Sequence, residues 1–397
     1  MTADEWTMRD RVRAVMAGET PDRLPFIDRM EIWYKSHRAA GTLPPEYASL
    51  SLDEAHAQAG MGRQKFSIPY ALKLHGVEMR IFFENEEIYR CTDPEDPYFP
   101  AQYAPVQVPT DKAGKSRVEY HTPVGRVSVS YEYAESMMHL GGVDPYLTAH
   151  LIQAPADYKT VFYILERAEF VPRYEAFAAE EKALGGNGFL VPCIHRIPFQ
   201  QALLEYLGEM ALFKALYDDR SRLEDLIRLL DEQMEMMLMQ LAASPFGFIE
   251  FGDNLDGMMT NPNLFKTYCL PHYQKYAEIL HAAGKKMGSH TDGNLKPLVD
   301  LIPESGLDVC ESFSPAPLTE CTFEEAFAKW ENGPLIWGGI PCILLEERTA
   351  RADFEAFVSR FLQTVGDRPI IVGVGDMVLD NDLIERVRYV ADAVAVH

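Results

Sequence analysis

The chain has 397 residues, 47% of them apolar and 24% charged, and its 37 basic and 60 acidic side chains leave a net charge of −23. This is the balance of a soluble globular protein, and a field of that sign repels nucleic acid and anionic membrane, with no basic stripe to offset it. Six scattered cysteines without a CxxC pair, and an N-terminus without an apolar signal core, predict reduced thiols and a cytoplasmic location.

In chain order, TMRDRVRAVMAG (7–18) reads as a helix, ETPDRLP stops it, and PFIDRM (25–30) reads as a strand. Between about 76 and 134 the pattern turns to β, with VEMRIFFENEEIYR, AQYAPVQVPT and SRVEYHTPVGRVSVSYEY alternating in the manner of hairpins. The acidic FENEE (83–87) is expected to be a solvated turn. Beyond Ala156, helix-like text alternates with short apolar runs. Two long helical stretches come first, ADYKTVFYILERAEFVPRYEAFAAEEKAL and ALFKALYDDRSRLEDLIRLLDEQMEMMLMQLAA. YQKYAEILHAAGKK and LKPLVDLIPESG follow, one on each side of GSHTDGN. The Met run EQMEMMLMQL (232–241) reads as core or interface filling.

The apolar runs are GFLVPCI (188–194), FGFIEFG (246–252), KKMGSH (285–290), LDVCESF (307–313), PLIWGGI (334–340) and IIVGVGD (370–376). Short hydrophobic strands alternating with helices imply parallel strands buried on both faces. Together with PFIDRM and one strand from the β-rich stretch they approach eight. The expected fold is therefore α/β, a (β/α)8 TIM barrel with N-terminal helices and a β-hairpin-rich insertion at about 76–134, in one domain over 1–397. A doubly wound sheet is the runner-up, but VGVGDM lacks the third glycine of a dinucleotide fingerprint.

Chemistry in a barrel gathers where strands end. Those positions are His195 and Arg196; Glu250, Asp253 and Asn254; His290 and Asp292; Glu311 and Phe313; Gly338, Gly339 and Pro341; and Asp376. Asp253, Asn254 and Asp292 also suit simple turn or helix-capping roles, and His290 alone suits a core histidine. His290 and Asp292 share a strand face at spacing two and can both aim into the mouth, with Glu311 as the third group of a zinc-type site. Alternation turns Cys310 the other way, although Cys269 and Cys310 stay open as ligands. The glycines of WGGIP would let a ligand approach the backbone at Gly339.

RVRAVMAGETPDRLP, GDN, NPNLFKTYCLPHYQKYAEILHAAGKKMGSHTDGNLKPLV, CESFSPAP, WGGIP and VGVGDM together resemble the uroporphyrinogen decarboxylase superfamily, over nearly the whole chain. The resemblance implies a TIM barrel with its site at the C-terminal mouth, in either a decarboxylase or a corrinoid-dependent methyltransferase. The decarboxylase signature carries two arginines; HRAAGTLPPE keeps Arg38 but has Thr42 in the second place. The methyltransferases commonly bind zinc through His-x-Cys and a distant Cys. Here the corresponding residues are His290, Asp292 and Val374, so the ligand set is harder and suits an ether oxygen better than a thiolate.

The implied activity is O-demethylation, moving a methyl group from an aryl methyl ether-like small molecule to a corrinoid on a separate protein. No DxHxxG motif is present, since DEAHAQAG has the wrong spacing. On this reading zinc sits on His290, Asp292 and Glu311. Asp253, Asn254 and Asp376 orient the substrate, Arg196 pairs an anionic group, and His195, Phe313 and Gly339 line the substrate site. The alternative is a metal-free decarboxylase working through Asp253 and Arg196 on a carboxylated small molecule. Self-association as a homodimer stays open.

Overall fold

Thr7 and Asp10 cap each other's backbone amides and open a helix over Met8–Met16. In the computed structural model, which describes residues 6–92, 108–140 and 143–397, this helix buries Met8, Val12 and Val15. They pack on Ile27, Phe189, Val191, Phe248, Val309, Trp337 and Ile371, which lie in the first halves of successive barrel strands.

Those strands are β1 (Ile27–Asp28), β2 (Gly62–Ser67), β3 (Gly188–Ile194), β4 (Phe248–Phe251), β5 (Lys286–His290), β6 (Val309–Phe313), β7 (Leu335–Pro341) and β8 (Ile371–Gly375). They form one eight-stranded sheet in chain order, and a parallel bridge from Phe26 to Val372 joins its two edges. This is the expected TIM barrel, with the Met8–Met16 helix against its N-terminal end. Strand β1 is only two residues long. The Asp28 carboxylate extends its ladder by accepting the Val374 amide at 2.6 Å. Gly373 leaves room for this, since a Cβ there would stand 2.7 Å from Asp28 Oδ2.

Two compact units share the chain. One comprises Met1–Ser67, Ala176–Cys193 and Phe246–His397, and carries the barrel sheet. The other comprises Ile68–Glu175 and Ile194–Pro245. It contains a five-stranded antiparallel sheet whose hairpins run 78–83 with 86–91 and 114–122 with 125–133. FENEE is the exposed turn of the first hairpin, with Glu84 and Asn85 at φ 48° and 70°. Most of AQYAPVQVPT lies outside the described residues.

Several boundaries differ from expectation for local reasons. The barrel strand expected from the hairpin-rich stretch is instead β2, Gly62–Ser67, which precedes that stretch. Its polar residues hid it: Arg63 pairs with Glu31 and Asp53, and Lys65 with Glu180. The stretch expected as one helix from 156 is interrupted by the strand Ala168–Pro172, which pairs with Tyr70–Leu74. LKPLVDLIPESG forms two 3-10 turns instead of an α-helix, because Pro297 and Pro303 each remove an amide donor. The Met run lies on the helix Arg220–Ala242, with Met234 and Met237 buried and Met236 and Met239 exposed. Among the described residues no helix is long and apolar enough to cross a membrane.

The packing makes a direct prediction. Phe248→Ala, at a 4% exposed core position, should cost about 3–5 kcal/mol in chemical denaturation. Tyr217→Ala, at a 92% exposed position, should stay within about 0.5 kcal/mol of wild type.

Candidate functional site

The parallel register places His290 level with Glu311, and Glu250 level with Gly288 two residues earlier on the strand. The side chains of β4, β5 and β6 thus stack toward the C-terminal end of the sheet, where β1, β2 and β8 bring Asp28, Arg29, Gln64 and Asp376. Three non-glycine residues here have left-handed backbones: Asn254 (φ 49°), Ser312 (φ 60°) and Asp376 (φ 71°). Such conformations cost of order 1–3 kcal/mol each and persist where the surroundings impose them. Ser312 shifts the register of β6 on β7 between Cys310 and Phe313, and its hydroxyl accepts the Asp376 amide at 3.0 Å. The bulge on one strand therefore positions the residue that ends another.

His290 is the centre of the cluster. Its Nδ1–H donates to Glu311 Oε2 at 2.5 Å, while Nε2 lies 3.6 Å from Asp292 Oδ2. The Phe66 ring meets the imidazole edge-on at 6.0 Å. Burial alone would depress the imidazole pKa, but the Glu311 and Asp292 carboxylates override it and push it well above the ordinary value. Burial opposes ionisation of Asp292 too, yet His290 and the Asn254 amide, which donates to it at 3.1 Å, hold it down to about 2. Glu311 also stays below the usual carboxylate range despite its burial, through His290, Arg29 and the Gln64 amide at 2.6 Å.

Glu250 is the opposite case. It is fully buried, and no donor reaches either carboxylate oxygen. Burial, then the Glu311 charge and a hydrogen bond to Glu311 that only the protonated acid can donate, push its pKa well up. Asp376 is held by Arg29, whose Nη2 donates to its carbonyl at 2.7 Å and lies 3.5 Å from its carboxylate. The guanidinium stacks 4.9 Å over Phe66.

Among the described residues, two groups of potential metal ligands have their atoms within 4.8 Å of one another: Glu250, His290 and Glu311, and His290, Asp292 and Asp376. The trio expected from sequence, His290, Asp292 and Glu311, is neither of these. The two carboxylates face different nitrogens of one ring, so a single ion on one nitrogen has only one of them beside it. Cysteine enters neither group; Cys269 and Cys310 are buried, and burial pushes both thiol pKa values up.

The other expected site residues have other surroundings. Asp253 is fully buried and accepts the Tyr273 hydroxyl at 2.6 Å and the Ser289 hydroxyl at 2.7 Å. Phe313 packs against Trp330 in the core, with ring centroids 5.4 Å apart. Gly339, at φ 100°, makes room for Phe361, whose ring would lie 2.6 Å from a Cβ. His195 and Arg196 belong to the second unit. There His195 sits 5.6 Å from the Tyr70 ring, and Arg196 pairs with Glu205 at 2.8 Å. His56, in the near-motif DEAHAQAG, is buried with Nδ1 on the Leu52 carbonyl at 2.8 Å.

In the sequence Glu250 is a strand-end position without an assigned role, and Gln64, Asp28 and Arg29 do not stand out at all. Glu250 did carry a signal, a lone carboxylate inside the apolar run FGFIEFG, where a buried charge needs a partner.

No protein-family model and no curated protein match the chain. Among solved structures it is similar to a methyltransferase from Methanosarcina mazei, with 14% identity over 99% of both chains and a TM-score of 0.56. That likeness shows a shared fold. An octameric ribulose-1,5-bisphosphate carboxylase/oxygenase from Pyrococcus horikoshii aligns over 59% of this chain and 47% of its own, at 8% identity and TM-score 0.30. A Bacteroidetes-affiliated cellulase aligns over 56% and 74%, at 16% identity and TM-score 0.34. Neither of these two carries an argument.

Two predictions follow from the geometry. In metal-free protein, the His290 ring resonances should titrate well above pH 6.5 by NMR, and Glu311→Gln should bring the transition down. Because the folded His290 pKa is raised and that of Glu311 lowered, this ion pair stabilises the fold fully between about pH 4.5 and 6.5. Its contribution fades as pH climbs through the folded His290 value or falls through that of Glu311. Ser289→Ala should cost about 1–3 kcal/mol by removing a donor from buried Asp253, with metal affinity unchanged.

Proposed function

We propose that the protein is a metal-dependent methyltransferase that takes a methyl group from a small O-methylated substrate, of the aryl methyl ether kind, and delivers it to a corrinoid on a separate protein. The carrying observation is the His290–Asp292–Asp376 group, whose carboxylates are 26% and 47% exposed at the ends of barrel strands. One imidazole nitrogen and two carboxylates suit zinc, and part of the coordination sphere stays open. The fit is supported by Glu311: a carboxylate on the far ring nitrogen fixes the tautomer and orientation of a ligating histidine. The fold shared with an archaeal methyltransferase agrees with this reading, as does the sequence resemblance to the methyl-transferring branch of the uroporphyrinogen decarboxylase superfamily. Cytoplasmic location belongs to the same reading.

The bound ion would supply Lewis acidity toward the ether oxygen as the methyl group departs. The chain's own residues do the positioning. Asn254 holds Asp292 through its amide, and its left-handed backbone turns that amide toward β5. Arg29 and Ser312 fix Asp376 from its two sides. Phe66 presents an apolar edge to His290 beside the Arg29 guanidinium, which limits water on that flank. The surplus of carboxylates favours a neutral substrate over a polyanionic one.

The decarboxylase alternative lacks comparable support, because its two principal residues are engaged elsewhere, Asp253 with Tyr273 and Ser289, and Arg196 with Glu205.

The test is methyl transfer from an aryl methyl ether to reduced cobalamin or its carrier, followed by absorbance. Asp292→Asn and Asp376→Asn should each slow it roughly a hundredfold or more, since Lewis-acid stabilisation is worth several kcal/mol at about 1.4 kcal/mol per tenfold. Exhaustive chelation should abolish turnover and zinc should restore it. Full activity after chelation, or carbon dioxide release from a carboxylated substrate, would sink the assignment.

A further inference from the structure

The outer group leaves Glu250 without a task. Its carboxylate is fully buried at the end of β4, no donor reaches either oxygen, and only a proton of its own lets it hydrogen-bond to Glu311. The Gln64 amide donates to Glu311 at 2.6 Å while its own buried Oε1 also lacks a partner, so a second unsatisfied acceptor stands beside the same carboxylate. Unsatisfied buried acceptors are strongly unfavourable, and a cation or a proton relieves them. Glu250, Glu311 and His290 have ligand atoms within 4.8 Å of one another, as a cation requires. Imidazole nitrogens lie on opposite edges of the ring. Nδ1 serves this inner group at 2.5 Å from Glu311, and Nε2 faces the outer one.

We propose that the mouth is built for two divalent cations, the outer one on His290 Nε2, Asp292 and Asp376, and an inner one on Glu250, Glu311 and His290 Nδ1. The imidazole bridges them. This rests on the proposed function only for the outer position. Filling the inner position replaces the Nδ1–H···Oε2 hydrogen bond by bonds from Nδ1 and Oε2 to the ion. The ring proton and the Glu250 carboxyl proton leave to solvent, and nothing is oxidised or reduced. Four carboxylates and a bridging imidazolate, set against Arg29, carry a formal charge that two divalent ions cancel. A nitrogen-and-carboxylate set of this kind takes zinc or manganese.

The experiment loads the full chain with Zn²⁺ or Mn²⁺, removes loose metal by gel filtration, and counts ions per chain. Wild type should hold about two equivalents, and Glu250→Gln and Asp376→Asn about one each, as expected when each variant removes a ligand from one position. Manganese-loaded wild type should show an exchange-coupled pair by electron paramagnetic resonance, and either variant the six-line signal of an isolated ion. The wild-type spectrum decides even if a variant folds poorly. Saturation at about one equivalent that Glu250→Gln retains would overturn the inner site and leave the outer one standing. A single ion lost in Glu250→Gln but kept in Asp376→Asn would overturn the two-ion proposal and move the ion inward, against the outer reading. No bound ion in any form would overturn both.

Discussion

The hydrogen-bonded ion pair between His290 and Glu311 is the constraint around which the mouth is arranged. It is buried, 2.5 Å long, and joins neighbouring strands at equal height. A charged pair withdrawn from water persists only where further groups satisfy its remaining valences. Gln64 does this for the free oxygen of Glu311, and Asp292 stands at the free edge of His290. Asn254 then supports Asp292. Each outward step answers a need created by the one before, so the polar cluster is a consequence of one buried contact.

Backbone geometry serves the same end. In a regular strand alternate residues face opposite ways, and the polar tips around a barrel could not all turn inward from ladders of uniform register. The bulge at Ser312 breaks that regularity after Glu311 has been placed, and it frees a hydroxyl for the Asp376 amide. Gly338 makes the slip sterically feasible, because a Cβ there would lie 2.6 Å from the Phe313 carbonyl oxygen.

The barrel was legible in the sequence because six of its strands are short apolar runs, the form that burial on both faces demands. The strand Gly62–Ser67 was not, since Arg63 and Lys65 break its apolar pattern and draw their support from distant ion pairs. For the site, sequence spacing could bring His290, Asp292, Asn254 and Asp376 to one end of the sheet. It could not tell which imidazole nitrogen each carboxylate would meet, because that depends on register between strands. Nor could it separate Asp253, anchored by two hydroxyls, from Asn254 one residue on, which faces Asp292. Adjacent residues on a turning backbone take opposite roles, and only φ at Asn254 reveals the turn.

The seam between β1 and β8 carries a consequence of its own. The sheet closes there on a two-residue strand, with a side-chain carboxylate standing in for the missing peptide group. Directly beyond that seam, Arg29 on one edge grips Asp376 on the other. Side chains from both edges thus reinforce the few backbone bonds that close the sheet, and the seam holds by charge as well as by ladder.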